Sequence, residues 1–588
     1  MTVSEGAGRT GTERPAQQTA STPRPAAQDT APGTRPPAQK TAPGTRPAQD
    51  AAPVPDLPAR PRLAAGVAVH EPAEPGAPWI VQREDRYLRV GADIARLARV
   101  LDGTRDPDGL ADRLGAPWNR RTVLVGLRAL QARELLDDGT DRPGHRPHRI
   151  AFVPPLTLQF TLLRPDRLLS ALRPLTTRLA GRPAAVTSAL LAVGGVLALA
   201  ARRPAVGEAL GRPLPVLVYA AVLAAFFVST ALHEFGHGLT LSHYGGRPAR
   251  MGVMLFYLAP AFFCDVTDGW RLPRARQRVR VALAGIGVQA VIAGGSGLTG
   301  AVLPAGDARD AVLLFSCLAY VSCLVNLAPL VKLDGYLALM THLDLPHLRD
   351  RAIHDARGLL ARVLFGIASP RALDRRWSVP YGLACMVFPV YLIATGIALW
   401  SELLLGLGVV GGCVLAVLGC YLLWLVGKGY LRVVREARAA GAGRTRAVLA
   451  TVVLVAAATA ALSFVRVPYT VTGAYERHGD RVDLVLSSTA DRGPVRPGAE
   501  VTLQRSGVVT HTRVGRAEVA PGGGTHTDAP VTLFAPVRMG HAPSMPAVRY
   551  PLTVTDEPAA TSGTATVDAG GVPLGELVYR KLAAPWHR

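Results

Sequence analysis

The chain has 588 residues, 49% of them apolar, and a formal net charge of +22. That length and apolar content exclude a single soluble domain, because runs of ~18 or more apolar residues, the length that spans a bilayer as a helix, recur from about residue 184 to 464. The charge is almost wholly arginine, with lysine only at Lys40, Lys332, Lys428 and Lys581, and it gathers beside the apolar runs; it reads as membrane-flanking loops and not as a nucleic-acid surface.

In chain order, residues 1–60 repeat Pro-, Ala- and Thr-rich units such as "APGTRP" and bury too little surface to offset ordering entropy, which predicts a disordered tail. The opening "MTVSEGAGRTGTERPAQQ" lacks a basic stretch followed by an apolar core, so no cleavable signal is expected and the N-terminus is placed in the cytoplasm. From Trp79 the texture changes. "PWIVQREDRYLRV" reads as a strand or hairpin, and three helix faces follow: Ile94, Leu97, Val100 and Leu101; Leu110 and Leu114; Val123, Leu124, Leu127 and Leu130. A small winged-helix-like domain is expected over 75–145. Its stretch "YLRVGADIARLARVLDGTRDPDGLADRLG" resembles the PqqD-like domain that binds leader peptides of ribosomally made, modified peptides, and the resemblance implies a leader peptide as a partner. A generic winged helix, docking on another part of the chain or on another protein, accounts for the same residues. Residues 156–183, with Arg164, Arg167, Arg173 and Arg178 among leucines, read as an interfacial amphipathic helix.

Seven spans are expected at about 184–201, 214–242, 280–303, 311–333, 379–399, 403–427 and 447–465, giving a transmembrane domain over 184–465. The loops at 265–279, 334–378 and 428–446 hold the dense arginines, which places them in the cytoplasm, although Arg202, Arg203 and Arg212 dissent. An odd number of crossings then puts 466–588 outside. Alternation in "RVDLVLSS" and "EVTLQR" marks that region as all-β, and its tail "GTATVDAGGVPLGELVYRKL" is similar to the end of membrane-fusion adaptor proteins. The fold class is thus an α-helical polytopic protein of the cell membrane, with the lipid bilayer as its medium, carrying a small N-terminal domain and an extracytoplasmic β-rich domain. The six cysteines lie in or beside apolar runs without metal-knuckle spacing, as small buried side chains do.

The second span ends in "TALHEFGHGLTLSHYGG", residues 230–246, where ionisable groups enter an apolar run at considerable cost. His233 and His237 are spaced i and i+4, so a helix projects them from one face, where two imidazoles can share a zinc ion. Glu234 stands beside them, placed to take a proton from a zinc-activated water. An isolated histidine in such a helix is ordinarily a satisfied core residue; two histidines and a glutamate would each need a partner. Zinc needs a third ligand, and the sequence offers two. Asp334, in "NLAPLVKLDGY", ends a span at similar depth, whereas His243 follows His237 by six residues, the offset of the metzincin site. A metzincin helix turns at a glycine where this chain has Thr240, and on a straight helix His243 rotates away from the His237 face.

His233-Glu234-x-x-His237, with Asn326-x-x-Pro329 and Leu333-Asp334-Gly335, resembles the two signature motifs of the site-2 protease family of intramembrane zinc metalloproteases, in order and spacing, over roughly residues 214–340. The resemblance implies a site-2-protease-like core in which His233, His237 and Asp334 hold Zn2+, Glu234 is the general base and Asn326 contacts substrate. Some members have a second Asn where this chain has Ala328, and the stretch "MGVMLFYLAPAFFCDV" occupies the place of their membrane-dipping hairpin. The implied activity is a zinc metalloendopeptidase acting on a membrane-associated peptide or single-span protein, with a modified-peptide precursor or an anti-sigma factor as substrate. A non-catalytic peptide exporter or immunity protein that keeps the fold, and a proton relay using the same groups, are the readings of other classes; intact Glu234 speaks against the first and stoichiometric zinc would exclude the second. Reporters fused after Arg60 and after Arg588 are expected on opposite sides of the membrane, and agreement between them would overturn the seven-span arrangement.

Overall fold

The computed structural model describes residues 57–583 apart from 73–78, 84–85, 138–149, 154–156, 180, 257–258, 369, 407–408, 510 and 559. Nearly all of the tail expected at 1–60 lies outside the described residues. The N-terminal unit opens with an antiparallel sheet of β1 (Val67–His70), β2 (Trp79–Arg83) and β3 (Arg86–Val90), in that order, with Val81 of the middle strand opposite Val69 and Leu88. Strand β1 precedes the boundary expected near residue 75. Helices α1 (Ala92–Arg99), α2 (Pro107–Leu114) and α3 (Arg120–Gln131) follow. Asp106 caps α2 by accepting from the Gly109 N–H, and Asn119 caps α3 by accepting from Thr122, which satisfies backbone donors left open at helix starts. Leu97, Leu110, Val123, Leu127 and Leu130, one or more from each expected helix face, are buried.

The single amphipathic helix expected at 156–183 does not form. After β4 (Ile150–Val153) comes β5 (Thr157–Leu163), then two short helices, α4 (Asp166–Ala171) and α5 (Arg173–Leu179). The alternating "TLQFTLL" is strand-like and finds a distant strand partner, and prolines at 165 and 174 interrupt what remains. Next are α6 (Arg182–Ala201), α7 (Arg203–Leu210), β6 (Leu214–Pro215), α8 (Val216–His243), β7 (Met251–Phe256) and β8 (Ala259–Cys264). Strands β4, β5, β7 and β8 make one antiparallel sheet in that order, so β8 has an open edge among the described residues.

Then follow α9 (Ala275–Val302), α10 (Asp307–Leu327), α11 (Asp334–His342), α12 (Leu348–Phe365), α13 (Ser378–Gly406), α14 (Val409–Ala439) and α15 (Arg444–Phe464). Among the described residues, α6, α8, α9, α10, α13, α14 and α15 are the seven helices long and apolar enough to cross a membrane. Their outer faces expose large apolar side chains such as Leu190, Val417 and Val452, as a lipid-facing surface does. Helix α9 sits centrally, packed on α6, α8, α10 and α11. The fourth span stops at Leu327 and not at 333, because Pro329 removes a donor and disfavours helix at Ala328, so the chain must restart at Asp334.

Past α15, strands β9 (Arg466–His478), β10 (Arg481–Ser487), β11 (Glu500–Gln504), β12 (Arg513–Val519), β13 (Thr525–Pro530), β14 (Val537–Arg538), β15 (Ser544–Asp556) and β16 (Ser562–Pro573) precede α16 (Leu574–Ala583). Six strands close a barrel in the order β10-β9-β16-β11-β12-β15, with β15 returning to β10. Alternate residues, among them Val482, Leu484, Leu486, Val501 and Leu503, fill it. The barrel domain meets the starts of α8 and α10: β14 pairs in parallel with β6 just before α8, the Tyr219 hydroxyl donates to the Pro536 carbonyl at 2.6 Å, and Arg538 pairs with Asp307 of α10 at 2.9 Å. At 1.5 Å per residue, His233 lies ~27 Å along α8 from this contact. Leu484→Ala, at a fully buried position, is therefore expected to lower barrel stability by ~3 kcal/mol, read by hydrogen exchange of barrel amides in the full chain, while metal content stays unchanged.

Candidate metal centre

Helix α8 runs unbroken through Thr240 to His243 and stops where Gly245 takes a left-handed φ of 85°. His233 and His237 lie one turn apart on its buried face, 5% and 4% exposed, with ring centroids 4.8 Å apart and planes at 74°. Asp334 reaches them from the first residue of α11. Its Oδ2 is 2.9 Å from His233 Nε2 and 3.3 Å from His237 Nε2, and the two Nε2 atoms are 3.1 Å apart. Ligands ~2.0–2.1 Å from a tetrahedral metal ion stand ~3.3–3.4 Å from one another, so the triangle is close to the edge length a metal ion imposes. These three residues are the group of His, Cys, Asp and Glu side chains whose ligand atoms fall within 4.8 Å of one another among the described residues.

The electrostatics of the group demand positive charge at its centre. His237 Nδ1 lies 2.7 Å from the Val281 carbonyl, which can only accept, so Nδ1 carries a hydrogen and the neutral ring presents a lone pair at Nε2. Lone pairs and a carboxylate converging at 3 Å repel unless a proton or a metal ion sits among them. Burial opposes the charge on Asp334, but with a proton held between its carboxylate and the His233 and His237 rings their hydrogen bonds outweigh that cost and hold the carboxyl at about 2.

Two glycines allow this convergence. A Cβ on Gly285 of α9 would lie 2.4 Å from His237 Nε2 and 2.5 Å from His233 Nε2, so only a glycine lets that backbone press against the rings. A Cβ on Gly335 would lie 2.0 Å from the Leu327 carbonyl, because the start of α11 folds back on the end of α10. Asn326 precedes Leu327 at the end of α10 and is half-buried. The loop between the two helices is held from outside: Tyr381 Oη donates to the Pro329 carbonyl at 2.7 Å, and Arg349 donates to the carbonyls of Leu330 at 3.3 Å and Cys385 at 3.2 Å.

Glu234 is partly buried, within electrostatic reach of His233, His237 and Asp334, and its carboxylate lies near Cys264 at the end of β8. His243 is not part of the three-residue group; its ring packs edge-on against Tyr244 at 5.0 Å. The sequence reading named His233, Glu234, His237, Asn326 and Asp334 but missed Val281, Gly285, Arg349 and Tyr381. Of these, only Gly285 left a trace, in the small-residue run "ALAGIG" opening the third span.

No family model, curated protein or solved structure matches this chain. The fit of the three donors to a metal ion can be tested on α9. Gly285→Ala is expected to weaken metal binding on the order of 100-fold, measured as metal retained by the purified protein, whereas Gly287→Ala, where a Cβ meets nothing within 4 Å, is expected to leave it unchanged.

Proposed function

We propose that this chain is a membrane-embedded zinc endopeptidase of the site-2 protease type. The observation that carries the reading is the triangle of His233, His237 and Asp334 at tetrahedral-edge distances, with Glu234 next to His233 on an apolar helix. Two imidazoles and one carboxylate are a donor set suited to zinc and leave a fourth position open. His233 Nε2, His237 Nε2 and Asp334 Oδ2 would hold the ion, which when bound polarises a carbonyl and makes water nucleophilic near neutral pH.

The chain's own residues supply the rest. Glu234 takes a proton from the attacking water on its carboxylate and returns it to the nitrogen of the leaving amine. The open edge of β8 offers backbone donors and acceptors to an extended substrate segment, which supports a peptide unwound near the scissile bond, since helical backbone groups are already paired. Asn326, one residue before the Leu327 backbone that Gly335 packs against, contributes an amide to the substrate carbonyl.

The substrate is a membrane-associated peptide or single-span protein. The N-terminal unit lies at the His237 end of α8, where Arg89 pairs with Asp344 at 2.9 Å, a placement that suits presentation of a precursor through its leader. The arginine-rich loops favour the cytoplasm for this end, with the barrel on the other side.

Asp334→Ala is expected to lose both zinc and cleavage of a model substrate. Glu234→Gln is expected to keep zinc while kcat falls about 100- to 10,000-fold, and His243→Ala to leave both nearly intact. Loss of metal in His243→Ala with retention in Asp334→Ala would overturn the assignment; a wild-type protein without stoichiometric zinc would favour the proton relay.

A further inference from the structure

One helical turn from the metal centre, toward the barrel, lies a second polar layer that the chemistry above does not use. Ser229 precedes His233 by four residues on α8, and Gln289 follows Gly285 by four on α9. The two helices run antiparallel, since Arg280 reaches Tyr244 at one end of the pair while Ala293 packs by Phe226 at the other, so both side chains stand on the same side of the site. Gln289 is 0% and Ser229 1% exposed, and neither the Gln289 Nε2 nor the Ser229 Oγ has a hydrogen-bond partner among the described residues. The carbonyl end of Gln289 is 3.4 Å from Ser322 Oγ on α10. Beyond this layer the packing turns apolar, with Ala293, Phe315 and Ala319 covered by Phe226.

Buried donors without partners are costly inside a membrane domain, and a polar layer closed by apolar packing is the setting in which ordered water satisfies them. We infer that Ser229, Gln289 and Ser322 form a water-holding station between the metal centre and the apolar layer. The inference rests on the peptidase reading for its purpose: each peptide bond hydrolysed consumes one water molecule, and the surrounding hydrocarbon supplies none. The station keeps that water one turn away from where it is used.

The test reads water directly. Cys323, adjacent to Ser322 and with its sulfur 3.8 Å from the Ile286 carbonyl, is a reporter that hydroxyl radicals from bound water oxidise during a short X-ray pulse. In the detergent-solubilised full chain, Cys323 is expected to be labelled. In the Ser229→Ala, Gln289→Leu double variant its labelling is expected to fall about tenfold, the occupancy change that losing roughly 1.4 kcal/mol of hydrogen bonding brings, with zinc content and thermal midpoint held. Should the double variant lose zinc, Gln289→Leu and Ser229→Ala alone are each expected to lower labelling while keeping the metal. An unlabelled Cys323 in the wild type, or equal labelling in variants that keep zinc, overturns the station. Labelling does not depend on cleavage, so a chain that cleaves nothing yet labels Cys323 would sink the peptidase reading and spare the station. Where the chain does cleave, kcat is expected to fall in step with labelling and KM to stay.

Discussion

A carboxylate and two imidazoles placed 3 Å apart in a membrane domain are tolerable only around a positive charge, and much of the central packing follows from meeting that condition. His233 and His237 are brought together by the helical repeat alone, but Asp334 must come from 101 residues beyond His233. Pro329 ends α10, Gly335 lets α11 start against the Leu327 carbonyl, and the carboxylate is delivered at the first residue of the new helix. Helix α9 closes the third side, with the Val281 carbonyl fixing one imidazole and Gly285 leaving room for both. The helix is central in the bundle because it must touch the site along its own backbone.

Outside this core, α12 and α13 act on the site through the loop 328–333. Tyr381 and Arg349 bind carbonyls that a proline-broken helix leaves unpaired, and those carbonyls would otherwise be a penalty in an apolar setting. The same bonds limit how far Asp334 can move from the histidines. One set of contacts thus holds a candidate site whose ligands lie on α8 and α11 and whose supports come from α9, α10, α12 and α13.

The barrel and the N-terminal unit sit at opposite ends of α8. The barrel domain binds the start of the helix through β14 and Tyr219 and the start of α10 through Arg538, while the N-terminal unit lies by the far end, where Arg89 pairs with Asp344 just past α11. A cavity of about 480 Å³ lies at that second junction, lined by His70, Arg89, Tyr244, Trp270 and Arg278 among others. The candidate metal group, whose histidines lie in the second half of α8, is nearer this cavity than the barrel.

Features that depend on local chemistry were legible in the sequence. Apolar length marked seven spans, helical spacing put His233 and His237 on one face, and three apolar stripes marked α1, α2 and α3, because hydrophobicity and the 3.6-residue repeat are properties of neighbouring residues. The third member of the metal group was different. Local spacing offered His243 and Asp334, and Thr240 with the rotation of a straight helix already spoke against His243; what the sequence could not supply is the backfolding of α11 onto α10 that brings Asp334 to the histidines. The segment 157–163 read as helix because its strand partner lies nearly a hundred residues on, and the closure of the barrel through β10 and β15 is likewise a pairing between distant segments. Val281, Gly285 and the Ser229–Gln289 layer carry meaning only through what the neighbouring helix presses against them, a contact that no stretch of sequence contains.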